Sequence, residues 1–417
     1  MTKGSGGNEP RSTSLSRGRW RSLAGALLVV TCLSLPGPLS AQEFSASDLD
    51  RFASYVSSFR PLALQKGVSG AVFDSTLRAI TPDASLRNRP RQQSEFLKPI
   101  KAYVTSAAAP ARVTRGIALG KKYGPQLTVI EQRLRVPREI ILAIWGIETD
   151  FGRDFGSKDV LRALLTQGFL APDQRRWGDE VVAALLMIER GLVKRERLVG
   201  SWAGAMGHPQ FLPSAYLAHA VSFAGKGTPT DIWGSIPDSL ISIANFLKNS
   251  GWKAGEPWSS EVKLPAGFDH RAFHQPIAAW RSAGLTQADG GSLKGAGDAV
   301  LYHPVGAIGP ALLLQPNFFV LKAYNFSDAY ALSVSLLAEK IAGRPGVVGR
   351  WPDEPNPLKP DEIKNLQQRL AALGHYKGEA DGRIGPILRE AVHAFQVKAG
   401  ITPADGYPAR VVWERVR

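Results

Sequence analysis

The stretch from Arg135 to Gly156 carries one carboxylate on an otherwise apolar helical stripe, and this feature most constrains how the chain can fold. Four residues recur at helical spacing along it: Ile141, Ile144, Trp145 and Glu148. Because that stripe should face the core, Glu148 would lose hydration, and a dehydrated carboxyl group can hold a proton near neutral pH as a general acid does. A structural glutamate paired with an arginine fits the same pattern. From this stretch alone the structural interpretation is favoured, because structural ion pairs also perturb pKa values, and motifs further along the chain reverse that preference.

Glycines mark two stretches as unusual. Gly152 and Gly156 follow the predicted helix, and we expect them to let a substrate approach the backbone closely. The stretch from Gly200 to Tyr216 surrounds Ser201, Gln210 and Phe211 with small residues, which predicts a tight backbone bearing a few directed polar groups. It is not a serine-hydrolase elbow, because Ser201 lacks glycines two positions away on each side. The alternative is a packed helix–helix turn in which the glutamine caps backbone groups.

Composition limits the classes of function. The chain has 417 residues, 44% of them hydrophobic and 21% charged, which describes a globular protein with room for a large and a small domain. Its net charge of +15 would attract polyanions such as nucleic acid, anionic lipid or an acidic cell-wall polymer. The absence of a basic block with interleaved aromatics argues against nucleic acid. The single cysteine, Cys32, excludes an internal disulfide, and the seven histidines form no HExxH pattern, so we expect no metal site and no cofactor.

Residues 1–41 have the pattern of an export signal. Arginines at 17, 19 and 21 precede an apolar run from Leu23 to Leu35, which is too short to span a membrane comfortably. Small residues lead to a predicted cleavage after Ala41, ahead of Gln42. We therefore expect a soluble exported protein in the periplasm.

The rest of the chain is patterned mainly as helix. An amphipathic helix is predicted from Asp231 to Trp252, whereas alternating runs in 256–322, such as Ala311 to Tyr324, predict strands of a small β-containing insertion. A Pro/Gly-rich linker follows, and then a small helical module of the size of a binding domain. The predicted domains are 1–41 (signal peptide), 42–342 (catalytic domain), 343–357 (linker) and 358–417 (binding module).

Four motifs in order give the chain a family resemblance. They are IWGIETDFG (144–152), GSWAGAMGHPQF (200–211), DIWGSIPDSLISIANFLKNSGW (231–252) and NFFVLKAYNFSDAYA (317–331). With them, residues from about Phe44 to Ala342 resemble the catalytic domain of membrane-bound lytic transglycosylase B and its soluble relatives. Residues 358–416 resemble the peptidoglycan-binding type 1 domain through LQQRLAALGHYKGEADGRIG and AVHAFQ (391–396).

The resemblance implies a mainly α, lysozyme-like catalytic domain with a small β-containing insertion, followed by a three-helix peptidoglycan-binding module. It implies an enzyme that cleaves the β-1,4 bond between N-acetylmuramic acid and N-acetylglucosamine without hydrolysis and leaves 1,6-anhydro ends. Glu148 matches the single catalytic acid and base. The implied substrate-binding residues are Ser201, Gln210, Asn325, Tyr103, Arg175, Arg176, Phe211 and Tyr324.

Three positions depart from the family pattern. Related enzymes often carry an acidic calcium-binding loop before the DIW motif, but the segment from Ala224 to Thr230 contains no carboxylate. Phe246 stands where relatives commonly have tyrosine, and Leu388 replaces a usual threonine in the binding module.

Two other functions remain as alternatives: a muramidase that uses water, and a non-catalytic wall-binding scaffold of the same fold. Intact residues at 148, 201, 210 and 325 favour an enzyme over a scaffold. The expected partner is the peptidoglycan glycan strand and not nucleic acid. We expect a monomer, and leave open a partner among the proteins of cell-wall synthesis or division.

Overall fold

The computed structural model describes residues 43–87, 99–171, 176–353 and 356–416. The predicted export signal at 1–41 therefore lies outside the described residues. In the described part the helices are α1 Ala46–Ser58, α2 Arg60–Gln65, α3 Gly70–Leu77, α4 Ile100–Ala107, α5 Pro110–Lys122, α6 Gly124–Leu134, α7 Arg138–Thr149, α8 Val160–Leu170, α9 Arg176–Glu189, α10 Pro213–His219, α11 Ile236–Asn249, α12 Ile277–Ser282, α13 Pro316–Tyr324, α14 Asp328–Ile341, α15 Pro360–Ala372, α16 Pro386–Ala399 and α17 Arg410–Arg415. The strands are β1 Lys158–Asp159, β2 Val199–Gly200, β3 Ser259–Lys263, β4 His274–Pro276, β5 Thr286–Gln287, β6 Asp298–Tyr302 and β7 Ala311–Leu314.

Helix α7 lies at the centre of the largest apolar core. Pro137 occupies its N-cap, where the missing N–H costs no helical hydrogen bond, and Asp150 ends it in the left-handed conformation that short polar residues tolerate. The predicted apolar stripe is buried, since Ile141 and Ile144 are fully inaccessible to solvent. Around α7 the core is completed by side chains of α6, α11, α13 and α14. A second core joins α1, α8 and α9.

The small β-containing insertion predicted within 256–322 is confirmed. It is a five-stranded antiparallel sheet in the order β4-β6-β7-β3-β5. The predicted strand pattern from Ala311 to Tyr324 is correct only up to Leu314, because Pro316 begins α13 and the apolar residues after it are buried on a helix. Similarly, the helix predicted from Asp231 starts only at Ile236, where the Ser235 hydroxyl caps it by accepting from Asp238 N.

The C-terminal module is helical, as predicted, and has its own small core formed by α15, α16 and α17. The sequence predicts an extended linker that keeps the module separate, but the linker is held against the sheet. The backbone N–H groups of Val348 and Gly349 donate to the carboxylate of Glu261 at 2.7 and 2.6 Å. The module also contacts the insertion directly, since Asp405 accepts a 2.9 Å hydrogen bond from Ala307 N.

No helix in the described part of the chain is both long and apolar enough to cross a membrane.

Candidate active site

Glu148 lies on the last turn of α7 and meets a tyrosine from a distant helix. The side chain is half-buried, and its Oε1 accepts a 2.6 Å hydrogen bond from the hydroxyl of Tyr330 on α14. These residues are 182 positions apart in the chain and are brought together by the packing of α7 against α14. One carboxyl group is thus held at the edge of an apolar core with a defined hydrogen-bond donor.

The tyrosines around Glu148 keep their protons at neutral pH. Burial, followed by the nearby Glu148, raises the pKa of Tyr330 well above its ordinary value, and Tyr324 and Tyr103 contribute further. Burial and Glu148 likewise raise the pKa of Tyr324. The Tyr330 hydroxyl therefore serves as a donor, which favours the carboxylate form of its partner.

Tyr324 connects this centre to the glycine-rich segment. Its ring stacks on Tyr330 with centroids 6.3 Å apart, and its hydroxyl donates to the carbonyl of Pro209 at 2.6 Å. The ring also packs against Phe211 and Phe246, with centroids 5.9 and 4.7 Å away. Two predicted substrate-binding residues, Phe211 and Tyr324, thus form one aromatic wall beside Glu148, and Phe246 completes it.

Gln210 adopts a left-handed backbone with φ of 52°, which is uncommon outside glycine. Its amide nitrogen donates to the carbonyls of Gly207 at 3.0 Å and Phe155 at 3.3 Å. The backbone-capping role considered from the sequence is therefore present, and it fixes the side chain beside the segment that follows α7. Because Gln210 follows Pro209 directly, this amide belongs to the same region as Tyr324.

Ser201 lies at the start of the same segment, just past β2. Its hydroxyl oxygen accepts from the backbone of Ala203 at 3.3 Å and Ala205 at 3.1 Å. A Cβ atom at Gly156 would come within 2.8 Å of the Ser201 Cα, so this serine packs directly against the loop after α7. The tight backbone with directed polar groups that the sequence predicts is confirmed here.

Asn325 follows Tyr324 directly and joins α13 to α14. Its Oδ1 accepts from Ser327 N at 3.2 Å, and the Ser327 hydroxyl in turn accepts from Tyr330 N at 3.3 Å. This short series fixes the first turn of α14, which presents the tyrosine to Glu148.

Three predicted site residues remain, namely Tyr103, Arg175 and Arg176. Tyr103 on α4 lies near enough to Tyr330 to influence its pKa. Arg175 lies outside the described residues. Arg176 is the first residue of α9, and its side chain lies outside the described part of the structure. The structure brings together residues 103, 148, 201, 210, 211, 324 and 325 around the end of α7.

The glycines after α7 have a role other than the one expected. A Cβ at Gly152, where φ is 82°, would lie 2.1 Å from the ring of His208, and one at Gly156 would lie 2.3 Å from the carbonyl oxygen of Gly200. Both sites are closed by the protein's own atoms. The expectation that these glycines admit a substrate is therefore wrong: they let the loop pack against the glycine-rich segment.

His208 is a site-supporting residue that sequence reasoning did not single out. Its Nδ1 accepts from Trp145 Nε1 at 3.1 Å, and its carbonyl accepts from the Thr149 hydroxyl at 3.3 Å. Burial lowers the pKa of His208, so the neutral ring can accept this hydrogen bond. Tyr330 was also missed, although the motif at 317–331 contains it, because its contact with Glu148 depends on the packing of α7 against α14.

Three carboxylates that follow Glu148 in the sequence are engaged elsewhere. Asp150 pairs with Arg112 and Arg115 at 3.4 and 2.6 Å. Asp154 accepts from Gly156 N at 3.1 Å, and Asp159 caps α8 and pairs with an arginine at 2.5 Å. Their ordinary structural roles leave Glu148 as the carboxyl group that joins the tyrosine cluster.

The loop before α11 does not fit a calcium ion. Asp231 accepts from the backbone of Trp233 at 3.0 Å and Gly234 at 2.9 Å, and it pairs with Arg197 at 3.0 Å. The guanidinium of Arg197 thus supplies the positive charge that a calcium ion would supply to Asp231. The segment 224–230 adds no carboxylate. Among the described residues, no group of three or more His, Cys, Asp or Glu side chains could hold a metal.

Comparison with known families supports the resemblance drawn from the motifs. A family model described as "Transglycosylase SLT domain" matches residues 51–339, and one described as "Putative peptidoglycan binding domain" matches residues 359–415. The chain is 33% identical over 279 residues to membrane-bound lytic murein transglycosylase B of Escherichia coli, covering 64% of this chain and 74% of that protein.

Solved structures are similar over most of the chain. SltB3 from Pseudomonas aeruginosa in complex with NAG-anhNAM-pentapeptide matches with a TM-score of 0.78 and 39% sequence identity, covering 88% of this chain and 99% of that chain. Its complex with NAG-NAM-pentapeptide matches with a TM-score of 0.79 at the same identity and coverage.

Proposed function

The chain belongs to the transglycosylase SLT domain family, and from that premise we propose that it cleaves glycan strands without water and leaves 1,6-anhydro-N-acetylmuramic acid ends. It is a lytic transglycosylase of lysozyme-like fold that acts on peptidoglycan, and it carries a peptidoglycan-binding domain. The structure of SltB3 with a fragment that contains anhydro-muramic acid supports an anhydro product here.

In the proposed mechanism Glu148 carries out both proton transfers. The protonated carboxyl group donates its proton to the glycosidic oxygen while the bond from that oxygen to C1 of the muramic residue breaks. The resulting carboxylate then removes the proton of the muramic 6-hydroxyl, whose oxygen bonds to C1. The carboxyl group is restored, and the substrate supplies the nucleophile that water supplies in a hydrolase.

The engagement of the neighbouring carboxylates carries this proposal. A hydrolase of the usual kind needs a second carboxylate about 5 Å away for retention or about 6.5–9.5 Å away for inversion. Asp150, Asp154 and Asp159 are each committed to ion pairs or backbone groups. We propose that neutral groups, the side chains of Ser201, Gln210 and Asn325, hold the sugar, while Tyr103, Phe211, Tyr324 and the arginines at 175 and 176 line the cleft.

The test combines product analysis with matched variants. Products from purified sacculi should carry anhydro-muramic ends in mass spectrometry, with no ¹⁸O taken up from labelled water. Glu148→Gln should lower turnover by about 10²–10⁴-fold, because general acid and base help is lost while the side-chain shape is kept. Asp154→Asn and Asp159→Asn are controls that should retain activity.

Three results would contradict the proposal. Reducing muramic ends with ¹⁸O incorporated would identify a muramidase, and a Glu148→Gln protein that still clears peptidoglycan would remove Glu148 from the catalytic role. A wild-type protein that binds sacculi without releasing products would favour the scaffold alternative.

We also propose export to the periplasm, where peptidoglycan is the substrate. The arginine-flanked apolar run within 1–41 supports this, and so does the similarity to a membrane-bound murein enzyme. The periplasmic fraction of expressing cells should contain a protein whose N-terminal sequence starts at Gln42. A full-length chain retained in the cytoplasm would contradict export.

A further inference from the structure

The C-terminal module inserts one arginine into the catalytic part of the molecule. Arg389 on α16 is 5% exposed, and its Nε lies 3.3 Å from the carboxylate of Asp328. Its two other nitrogens donate to the carbonyl of His303 at 3.0 Å and to the hydroxyl of Tyr302 at 3.2 Å. Because a buried charge needs such partners, Arg389 is committed to this contact.

The partner of Arg389 lies at the start of the helix that carries Tyr330. Asp328 is the first residue of α14 and is also paired with the buried Lys322 of α13. Two positions further along lies Tyr330, whose backbone N–H donates to the capping Ser327 and whose hydroxyl reaches Glu148. The series of contacts from Arg389 to Glu148 therefore runs through Asp328, the capped first turn of α14 and the hydroxyl of Tyr330.

Two other contacts between the module and the rest of the chain involve loops away from the site. Asp405 binds Ala307 N in the loop after β6, and His393 approaches the carbonyl of His270 at 2.7 Å between β3 and β4. Neither of these loops carries a residue of the candidate site. The path through Asp328 is thus distinct from ordinary docking contacts.

We propose that Arg389 is a positioning residue for catalysis: it fixes the first turn of α14 and so holds the Tyr330 hydroxyl against Glu148. The inference rests on the proposed role of Glu148 as the acid and base. It gives the peptidoglycan-binding module a second role besides attachment, because an arginine of the module orders the catalytic group.

The experiment compares Arg389→Ala with His393→Ala in the full-length chain, on soluble glycan strands. Arg389→Ala should lower kcat by about tenfold, as expected for one misplaced hydrogen bond to a charged group, with KM within about twofold of wild type. Lys322 still neutralises Asp328 in this variant, so the fold should persist. His393→Ala removes a docking contact of the same interface and should leave kcat unchanged.

A double-mutant cycle separates positioning from general destabilisation. In a Tyr330→Phe background, Arg389→Ala should lower kcat by less than about twofold further, because both changes disturb one interaction. Arg389→Lys keeps a cation beside Asp328 and should recover part of kcat; it also carries the test if the alanine variant does not fold.

Several outcomes would overturn the proposal. One is an unchanged kcat for Arg389→Ala. Another is a double variant whose fold-loss in kcat equals the product of the losses in Arg389→Ala and Tyr330→Phe. A third is a loss of kcat in His393→Ala as large as that in Arg389→Ala. A loss of retention on sacculi with intact kcat would leave the module as an anchor only. Failure of the proposed function has a different signature, namely full activity of Glu148→Gln.

Discussion

The hydroxyl of Tyr330 fixes the orientation of the Glu148 carboxyl group, the proposed proton donor. A carboxyl group on the last turn of a helix has several accessible rotamers, and the 2.6 Å hydrogen bond selects among them. The same bond stabilises the carboxylate, which in the proposed mechanism takes up the proton of the 6-hydroxyl in the second step. Losing this donor should therefore affect both the rate and the pH at which the acid form is lost.

We predict that Tyr330→Phe lowers kcat by about tenfold, consistent with a hydrogen bond to a charged group. The alkaline limb of the kcat–pH profile should move to higher pH, because the carboxylate loses a donor and the acid form persists. The phenylalanine ring keeps the stacking against Tyr324, so stability should change little. Steady-state kinetics across a pH series on soluble strands measures both effects.

Tyr216→Phe is the matched control for this prediction. Tyr216 is also buried and loses one hydrogen bond, that from its hydroxyl to the carbonyl of Thr230 at 2.8 Å, but it does not contact Glu148. Equal kinetic losses in the two variants, or no shift of the alkaline limb in Tyr330→Phe, would contradict the assigned role.

Single residues were predictable where a local pattern carried the information. Glu148 could be found because one polar residue interrupts an apolar stripe within one helix. Tyr330 could not, because its role depends on the packing of α7 against α14 across 182 positions. The glycines at 152 and 156 were identified as special, but local sequence does not show that the neighbouring atoms belong to His208 and Gly200.

At the scale of elements, the loop before α11 is ordered by side-chain and backbone contacts and not by a metal ion. Asp231 stabilises the turn through two backbone N–H groups, and backbone hydrogen bonds, together with Arg197, lower its pKa against the opposing effect of burial. The carboxylate of Asp238 also accepts from the backbone of Phe223 and Asp231 at 2.9 and 3.0 Å. The protein's own donors thus order this loop.

We predict that chelation leaves both activity and melting temperature unchanged. EDTA should shift the melting temperature by less than about 2 °C, because a ligand that does not bind the native state cannot stabilise it. Asp231→Asn should lower the melting temperature by the same amount with and without calcium, since it weakens the pairing with Arg197. A large loss with EDTA that calcium restores would show that the loop does bind the ion.

Elements were predictable where periodicity and end signals agreed. The insertion was recognised from its change of pattern, but the boundary at Gln315 was not, because an apolar run of this length suits a strand or a buried helix equally. Pro316 at the first turn of α13 is the signal that separates them. The late start of α11 follows from the cap at Ser235.

At the scale of the whole molecule, the placement of the module lay beyond sequence reasoning. Arg389 occupies an ordinary helical position, and its partner Asp328 lies 61 residues earlier, so no local pattern connects them. The proline-rich segment predicts an extended linker, yet composition does not show that Glu261 binds two of its backbone groups. The module's own helices were predictable from periodicity, whereas their docking was not.

The surface on which the module docks contains a buried histidine. His303 is 1% exposed, and neither ring nitrogen has a hydrogen-bond partner among the described residues. Burial lowers its pKa to about 4; Asp405 opposes this shift, while His270 and Arg389 add to it. The ring is therefore neutral in the folded protein at neutral pH, and a proton on it would be disfavoured by burial and by the guanidinium of Arg389.

We predict that this histidine makes the protein lose stability as the pH falls from about 6.5 to about 4. In that window the unfolded chain binds a proton that the folded chain does not, so the free energy of unfolding decreases by up to roughly 3 kcal/mol. His303→Met fills similar space without a titrating group and should remove this part of the pH dependence. Urea unfolding at pH 7.5 and pH 5 measures the difference between wild type and variant, which cancels the contributions of other groups.

The exposed His274→Met is the control and should retain the wild-type dependence. Equal pH dependence in wild type and His303→Met would mean that His303 does not resist protonation in the folded protein.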